Sequence, residues 1–127
     1  MKKILIFLTL ILGSLTFAQG QTLIVGMELA YPPFEMSNEE GRPTGISVDM
    51  AYALGGYLGK DIIIEDMAYG GLIPGLKTKK IDMIISSMSV TEERKQSVNF
   101  SKPYAKSYLA MLVNNKSGIA KASDLNV

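Results

Sequence analysis

The chain has 127 residues, with 13 Lys and Arg against 12 Asp and Glu, and it contains no His, Cys or Trp. This length suits a single domain with a small core. The near-neutral charge argues against a nucleic-acid-binding protein, which needs a basic surface. Without Cys there is no disulfide framework or thiol nucleophile, and without His there is no Ser-His-Asp triad. These absences exclude most hydrolase and zinc chemistry.

Residues 1–20 have the order of a secretory signal peptide. Two lysines precede an apolar stretch from Ile4 to Leu12, and small and polar residues follow it. The alternative is a membrane anchor, but a span needs about 20 apolar residues, and the small and polar residues from Gly13 onward arrive too early. We therefore expect cleavage after Ala18 or Gly20 and export of the remaining chain.

Apolar runs of strand length alternate with helix-sized segments along the body of the chain. The predicted strands are Thr22–Met27, Ile62–Ile64, Asp82–Ile85 and Ser107–Val113. The predicted helices are Asp49–Leu58, Leu72–Leu76 and Thr91–Ser97, and the prolines and glycines of Tyr31–Phe34 and Ser37–Gly45 predict turns or a hairpin. This order implies βαβ units, and hence an α/β fold with a mainly parallel sheet.

The stretch Ser86–Arg94 is the clearest candidate for binding. It follows the strand predicted at Asp82–Ile85, and open α/β sheets bind ligands at the carboxyl ends of their strands. We expect a helix to begin here, and the N–H groups of a helix start favour an anion. The side chains that could bind are Ser86, Ser87, Ser89 and Arg94. The serines offer hydroxyls, and the arginine offers a planar fork to a carboxylate. An ordinary helix capped by Ser89, with an exposed arginine, explains the same residues.

Three further residues are expected at the same edge of the sheet. Tyr31 follows the first strand and Tyr69 follows the second, and a tyrosine has an apolar face and a polar tip suited to a pocket wall. Glu28 ends the first strand and could reach into the same space, although a solvated acid is the ordinary interpretation. No cluster of Asp and Glu has the spacing of a calcium loop, so we expect no metal and no cofactor.

Four stretches of the chain, in this order, resemble the bacterial extracellular solute-binding proteins of family 3, the periplasmic amino-acid-binding proteins of ABC transporters. The stretches are LIVGMELAYPPFE, GRPTGISVDMAYALGGYLG, GGLIPGLKTKKIDMIISSMSVTEERKQSVNFSKPY and SYLAMLV. The resemblance runs from about Leu23 to Leu125. It implies a periplasmic-binding-protein-like (type II) fold, in which two hinged lobes hold the ligand between them.

The resemblance also implies roles for individual residues. Arg94 is similar to the arginine that binds the ligand α-carboxylate, and Ser87 and Ser89 are similar to residues that assist it. Ser86 matches a position near the α-amino group. The remaining site positions are Tyr31 and Tyr69, which would cover the ligand side chain, and Glu28, which would contact its polar end.

The family pattern is longer than this chain, so most of the second lobe is expected to be missing. We interpret 1–20 as signal peptide, 21–113 as an incomplete first lobe and 114–127 as the crossing into the second lobe. The resemblance implies a truncated solute-binding protein, not an enzyme, that delivers a polar amino acid to an ABC permease in the inner membrane. A sensor module and, at lower rank, a dehydratase-like enzyme are the alternatives. Because the chain has no Cys for a lipid anchor, we expect a freely diffusing periplasmic protein. Because closure of two lobes buries a ligand, we expect the chain alone to bind free amino acids weakly or not at all and to be marginally folded.

Overall fold

The computed structural model describes residues 22–125, so the predicted signal peptide lies outside the described residues. The elements, in chain order, are β1 (Leu23–Met27), β2 (Ala30–Tyr31), β3 (Glu35–Ser37), β4 (Pro43–Thr44), α1 (Ile46–Leu58), β5 (Ile62–Asp66), α2 (Tyr69–Lys77), β6 (Met83–Ile84), α3 (Glu92–Lys95) and a 3₁₀ turn at Ala122–Asp124.

The main sheet is parallel and has the strand order β5-β1-β6. The central strand β1 pairs with β5 from Leu23 opposite Ile62 to Met27 opposite Asp66. On its other side β1 pairs with β6, with Val25 opposite Met83. The chain crosses through α1 to reach β5 and then through α2 to reach β6, so the predicted α/β fold with a parallel sheet is confirmed. All three strands end at one edge of the sheet, and loops follow each of them there.

Helices cover both faces of this sheet, because side chains alternate along β1. Val25 and Met27 face α1 and form a buried cluster with residues of that helix, including Val48 and Ala51. Gly26 faces the other way, where a Cβ atom would lie 2.4 Å from Ile81 Cδ1 and 3.1 Å from a methyl group of Leu72 in α2. A larger residue at Gly26 would therefore push α2 away from the sheet.

A small antiparallel sheet, β2-β3-β4, lies between β1 and α1 in the chain. It includes the hairpin predicted near Ser37–Gly45, and a cis peptide bond joins Pro32 to Pro33. Gly45 precedes α1 with a φ of 118°, and a Cβ atom there would lie 2.4 Å from the backbone oxygen of Phe34. Glycine is required at this point because the hairpin returns directly against the start of the helix.

Three predictions about the elements are wrong. The first helix begins at Ile46, not Asp49, because Gly45 makes the turn and Asp49 lies inside the first turn. The last helix has Thr91 as its cap, not Ser89; the Thr91 hydroxyl accepts from the Arg94 N–H at 3.2 Å.

The strand predicted at 107–113 does not form. Within residues 22–125 no strand pairs with this segment, and an apolar run forms a strand only where a neighbour completes the ladder. Its side chains Tyr108, Leu109 and Leu112 are almost wholly exposed. Across residues 22–125 the structure also contains no helix that is long and apolar enough to span a bilayer.

Candidate ligand-binding site

The loops at the carboxyl edge of the main sheet are tied together through Glu28. Glu28 directly follows β1, and its backbone N–H donates to the Ser86 hydroxyl oxygen at 2.9 Å. Its carboxylate oxygen Oε1 accepts from the backbone N–H of Tyr69 at 3.0 Å. Tyr69 is the first residue of α2, so a negative charge lies at a helix N-terminus, where it is stabilising. These bonds bring the ends of β1, β5 and β6 together and place Tyr69 at the same edge.

The guanidinium of Arg94 lies against this edge. Its Nη1 donates to the backbone oxygen of Ser89 at 2.9 Å and to the Ser89 hydroxyl at 2.7 Å. Its Cζ atom is 5.4 Å from the centre of the Tyr69 ring, within cation–π range. The ion pairs among residues 22–125 are Arg42–Glu40, Lys80–Glu65 and Lys95–Glu92, so Arg94 has no carboxylate partner in this part of the chain. The Nη1 group of the Arg94 guanidinium is thus bonded to Ser89, and its other N–H groups can donate to an anion.

Ser87 has a left-handed backbone with a φ of 47°. Its N–H donates to the Tyr104 hydroxyl at 2.9 Å, and its own hydroxyl donates to Glu35 Oε2 at 3.0 Å. A non-glycine residue in this conformation needs its surroundings to hold it. The loop after β6 is therefore a fixed turn and not the helix start that the sequence predicted, because α3 begins only at Glu92.

A cleft of about 450 Å³ opens beside this turn. Its walls include Tyr31, Phe34, Ser87, Ser89, Met88 and Tyr104. The Tyr31 and Phe34 rings stack with centres 5.9 Å apart and planes 18° from parallel, and half of Tyr31 remains exposed. Pockets for small molecules have about this volume and this mixture of aromatic walls and a few polar groups.

The structure brings the seven predicted residues into one region. Five of them form a continuous series of contacts: Ser86, Glu28, Tyr69, Arg94 and Ser89. Ser89 also lines the cleft, together with Ser87 and Tyr31. Ser86 and Glu28 hold the loops of this edge together. Ser86 is buried with its oxygen bonded to Glu28, and one oxygen of Glu28 is bonded to α2.

Two residues at the site were missed from the sequence. Glu35 is only 1% exposed, and its carboxylate accepts the hydroxyls of both Ser47 and Ser87. Its partners are 12 and 52 residues away along the chain, so no local pattern reveals them. Tyr104 accepts the Ser87 N–H, and it ends the stretch GGLIPGLKTKKIDMIISSMSVTEERKQSVNFSKPY that carried the family resemblance, which was the signal that could have found it.

Among residues 22–125, no group of three or more acidic side chains is placed to hold an ion. The cleft is lined by serine and tyrosine hydroxyls and by Lys106, and the Arg94 guanidinium lies next to it through its bond to Ser89. Such groups bind a small organic anion by hydrogen bonds.

The fold and this edge define a class: an α/β lobe that presents one wall of a small-molecule binding site. The chain belongs to the bacterial extracellular solute-binding proteins, family 3, whose family model matches residues 23–126. These are solute-binding proteins and not enzymes, as the sequence predicted.

Two curated relatives illustrate the similarity. The arginine-binding periplasmic protein of Mannheimia haemolytica is 40% identical over 127 residues, which covers 100% of this chain and 52% of the relative. The histidine-binding periplasmic protein of Escherichia coli K12 is 35% identical over 131 residues, covering 98% of this chain and 48% of the relative. The chain thus spans about half the length of the curated relatives that it matches.

A solved structure of a single lobe is also similar. It is the arginine-bound form of domain 1 from TmArgBP, with a TM-score of 0.66 and 49% sequence identity, covering 68% of this chain and 68% of that chain. In that relative, one domain was solved with arginine bound. The expectation that this chain alone binds weakly or not at all stays a prediction.

Proposed function

We propose that the chain is the ligand-binding lobe of an extracytoplasmic receptor that captures a polar amino acid for an ABC importer, with arginine as the first ligand to test. The observation that carries the proposal is the Arg94 guanidinium. It is held by Ser89 and by the Tyr69 ring, and it has no carboxylate partner within residues 22–125. A fixed, unpaired guanidinium beside an open cleft is suited to the α-carboxylate of an amino acid.

The other residues of the edge suit the rest of such a ligand. The family resemblance assigns Ser87 and Ser89 to assisting the carboxylate and Ser86 to a position near the α-amino group. Tyr31 and Tyr69 offer ring faces for the ligand side chain. Glu28 brings a negative charge to the same edge, which favours a ligand whose side chain ends in a positive charge.

Two similar proteins support arginine as the ligand to test first. The curated protein of Mannheimia haemolytica is arginine-binding, and the domain 1 structure contains arginine. A histidine-binding relative is also similar, so the side-chain preference of this chain has to be measured.

The domain assignment and the compartment belong to the same proposal. Residues 1–20 direct export, 21–113 form the first lobe, and 114–127 lead towards a second lobe. The receptor diffuses in the periplasm without a lipid anchor, because the chain contains no Cys to carry one. It meets its permease at the inner membrane.

Calorimetric titration of the chain with each of the twenty amino acids tests the proposal. We expect saturable one-to-one binding of arginine or another polar amino acid. Argininamide, which keeps the side chain and the α-amino group but has no carboxylate, is the matched control and should bind at least tenfold more weakly. Equal binding of arginine and argininamide, or heat from none of the twenty, would contradict the proposal.

A further inference from the structure

Residues 103–108, which we call the cleft segment, form one continuous part of the cleft wall. They lie in no helix or strand, and every residue from Ser101 to Val113 is exposed. The cleft segment therefore has neither a strand partner nor a buried side chain to hold it in place. The wall of a binding site has to keep its position, so another contact must restrain the segment.

The hydroxyl of Tyr104 makes that contact. Its oxygen accepts the backbone N–H of Ser87 at 2.9 Å. Among residues 22–125 this is the one hydrogen bond that joins residues 99–113 to the rest of the chain. A bond from the Ser101 hydroxyl to the backbone oxygen of Lys102 is local. The ion pairs in the described part of the chain involve none of the lysines in this stretch.

The other partner in the bond, Ser87, is fixed by its own contacts. It lies in the turn after β6 with a φ of 47°, and its hydroxyl donates to Glu35, which is only 1% exposed. The Ser87 N–H is thus a rigidly placed donor. Because a tyrosine side chain turns about only two torsions, holding its hydroxyl on such a donor also restricts its backbone. The bond therefore places the start of the cleft segment.

The ring of Tyr104 is held less firmly than its hydroxyl. Tyr104, Met88 and Pro103 line both the cleft and a neighbouring cavity of about 240 Å³, so the ring stands between the two. The side chain remains 44% exposed, and a residue with so little burial opens easily. Experiment can separate the two parts of the side chain, because phenylalanine keeps the ring and removes the acceptor.

We infer that Tyr104 is a positioning residue of the ligand site: by accepting the Ser87 N–H, it holds residues 103–108 beside the turn after β6 and so forms a second wall of the cleft. The effect on binding rests on the proposed function, whereas the restraint is a property of the chain without ligand. A wall that is already in place loses less entropy when a ligand arrives. Loss of this bond should therefore weaken binding even where the ring is kept.

NMR relaxation of the ¹⁵N-labelled chain without ligand tests the restraint. In Tyr104→Phe the order parameters of the amides at residues 105–108 should fall from about 0.8 to below about 0.6, whereas those of β1 should stay near about 0.85. Tyr57→Phe is the matched control, because it removes the hydroxyl of an 87% exposed tyrosine on α1. It should change none of these order parameters. A general loss of stability would not be confined to one segment.

Calorimetry with arginine tests the consequence for binding. Tyr104→Phe should weaken arginine binding roughly threefold to tenfold, the effect of losing one neutral hydrogen bond. Tyr57→Phe should leave the affinity within about twofold of that of the unmodified chain, as expected for an exposed position away from the cleft.

The outcomes are distinguishable from a failure of the proposed function. If the unmodified chain binds no amino acid, the proposed function fails, and the relaxation data still decide whether Tyr104 holds the segment. Residues 105–108 that are flexible before substitution, or equally rigid in Tyr104→Phe, would overturn the inference, as would unchanged arginine affinity. If Tyr104→Phe does not fold, hydrogen exchange in the unmodified chain decides: the Ser87 amide should exchange at least about tenfold more slowly than the Lys102 amide, and equal rates overturn the inference.

Discussion

The contacts of Arg94 hold its guanidinium in one position, which suits the loop to binding a carboxylate. The Ser89 oxygens fix one nitrogen of the guanidinium, and the Tyr69 ring lies beside its central carbon. Fixing the fork before binding lowers the entropy that the side chain loses when a ligand arrives. The arrangement thus favours a planar carboxylate over a spherical anion.

Arg94→Ala should weaken arginine binding roughly tenfold to a hundredfold, because a charge-assisted hydrogen bond contributes about 1.5–3 kcal/mol. Arg94→Lys should also lose affinity, since a point charge cannot present a fork. Lys95→Ala is the matched control; it removes a neighbouring cation that pairs with Glu92 at 2.7 Å, and binding should stay within about twofold. Calorimetry measures all three, and equal affinity for the Arg94 variants and the unmodified chain would remove Arg94 from the site.

Glu28 accepts the Tyr69 N–H at the start of α2, and on the proposed function its charge also favours a positively charged ligand side chain. One substitution can separate these two roles. Glu28→Gln keeps an oxygen to accept the Tyr69 N–H, so the loss of stability should be at most about 1 kcal/mol, the helix-end charge effect. The lost charge should lower the preference for arginine over citrulline, its neutral isostere, by roughly tenfold. Competition binding measures this preference. If both ligands lose affinity equally, Glu28 serves only to hold α2.

Among the helices and strands, the three parallel strands were predictable and the last predicted strand was not. The runs at β1, β5 and β6 are short and mostly apolar, and β1 and β5 contain several β-branched residues, as is typical of a parallel sheet covered by helices on both faces. Ser107–Val113 is also short and mostly apolar. A strand forms only where a neighbouring strand pairs with it, and composition does not predict whether such a neighbour is present. Within residues 22–125 none pairs with it.

Some of the site residues were likewise predictable from the sequence, and others were not. Open α/β sheets bind ligands at the carboxyl ends of their strands. This rule was enough to predict four site residues that follow a strand closely in sequence: Ser86, Ser87, Ser89 and Arg94. Glu35 could not be found, because its bonds depend on the hairpin and on α1 packing beside the serine turn. Contacts across 52 residues come from tertiary structure, which a single sequence does not reveal.

Two adjacent glycines of α1 should respond oppositely to alanine. A Cβ atom at Gly56 meets nothing within 4 Å, so Gly56→Ala should stabilise the helix by about 0.5–1 kcal/mol. A Cβ atom at Gly55 would lie 2.4 Å from Ile62 Cγ1 and 2.9 Å from the backbone oxygen of Lys60. Gly55→Ala should therefore destabilise by about 1–3 kcal/mol. Thermal unfolding followed by circular dichroism measures both, and two shifts of the same sign would contradict this packing of α1 on β5.

For the molecule as a whole, one lobe presents one wall of a binding site and an extended, exposed chain after α3. The side chains of Leu109 and Leu112 lie in water, and large apolar groups in that position favour association with other protein surfaces. The single-domain relative at 49% identity was solved with arginine bound, and arginine binding by this chain is a proposal. The relevant quantity is therefore the affinity of the chain itself.

Export is testable on the whole chain. Expressing cells should contain a shortened protein in the periplasmic fraction, because residues 1–20 have the order of a signal peptide. Intact mass spectrometry should place the new N-terminus after Ala18 or Gly20. Protein that starts at Met1 in the periplasmic fraction would contradict cleavage.

The most direct test of the binding-lobe account is an NMR titration of the ¹⁵N-labelled chain with arginine. We predict saturable shifts of the amide signals at the carboxyl edge, led by Tyr69, Ser87, Ser89 and Arg94. Signals at the opposite end of the sheet, such as those of Leu23 and Ile62, should stay in place. No shifts with saturating arginine, or shifts confined to residues such as Leu76 and Phe100, which line the neighbouring cavity and not the cleft, would contradict the account.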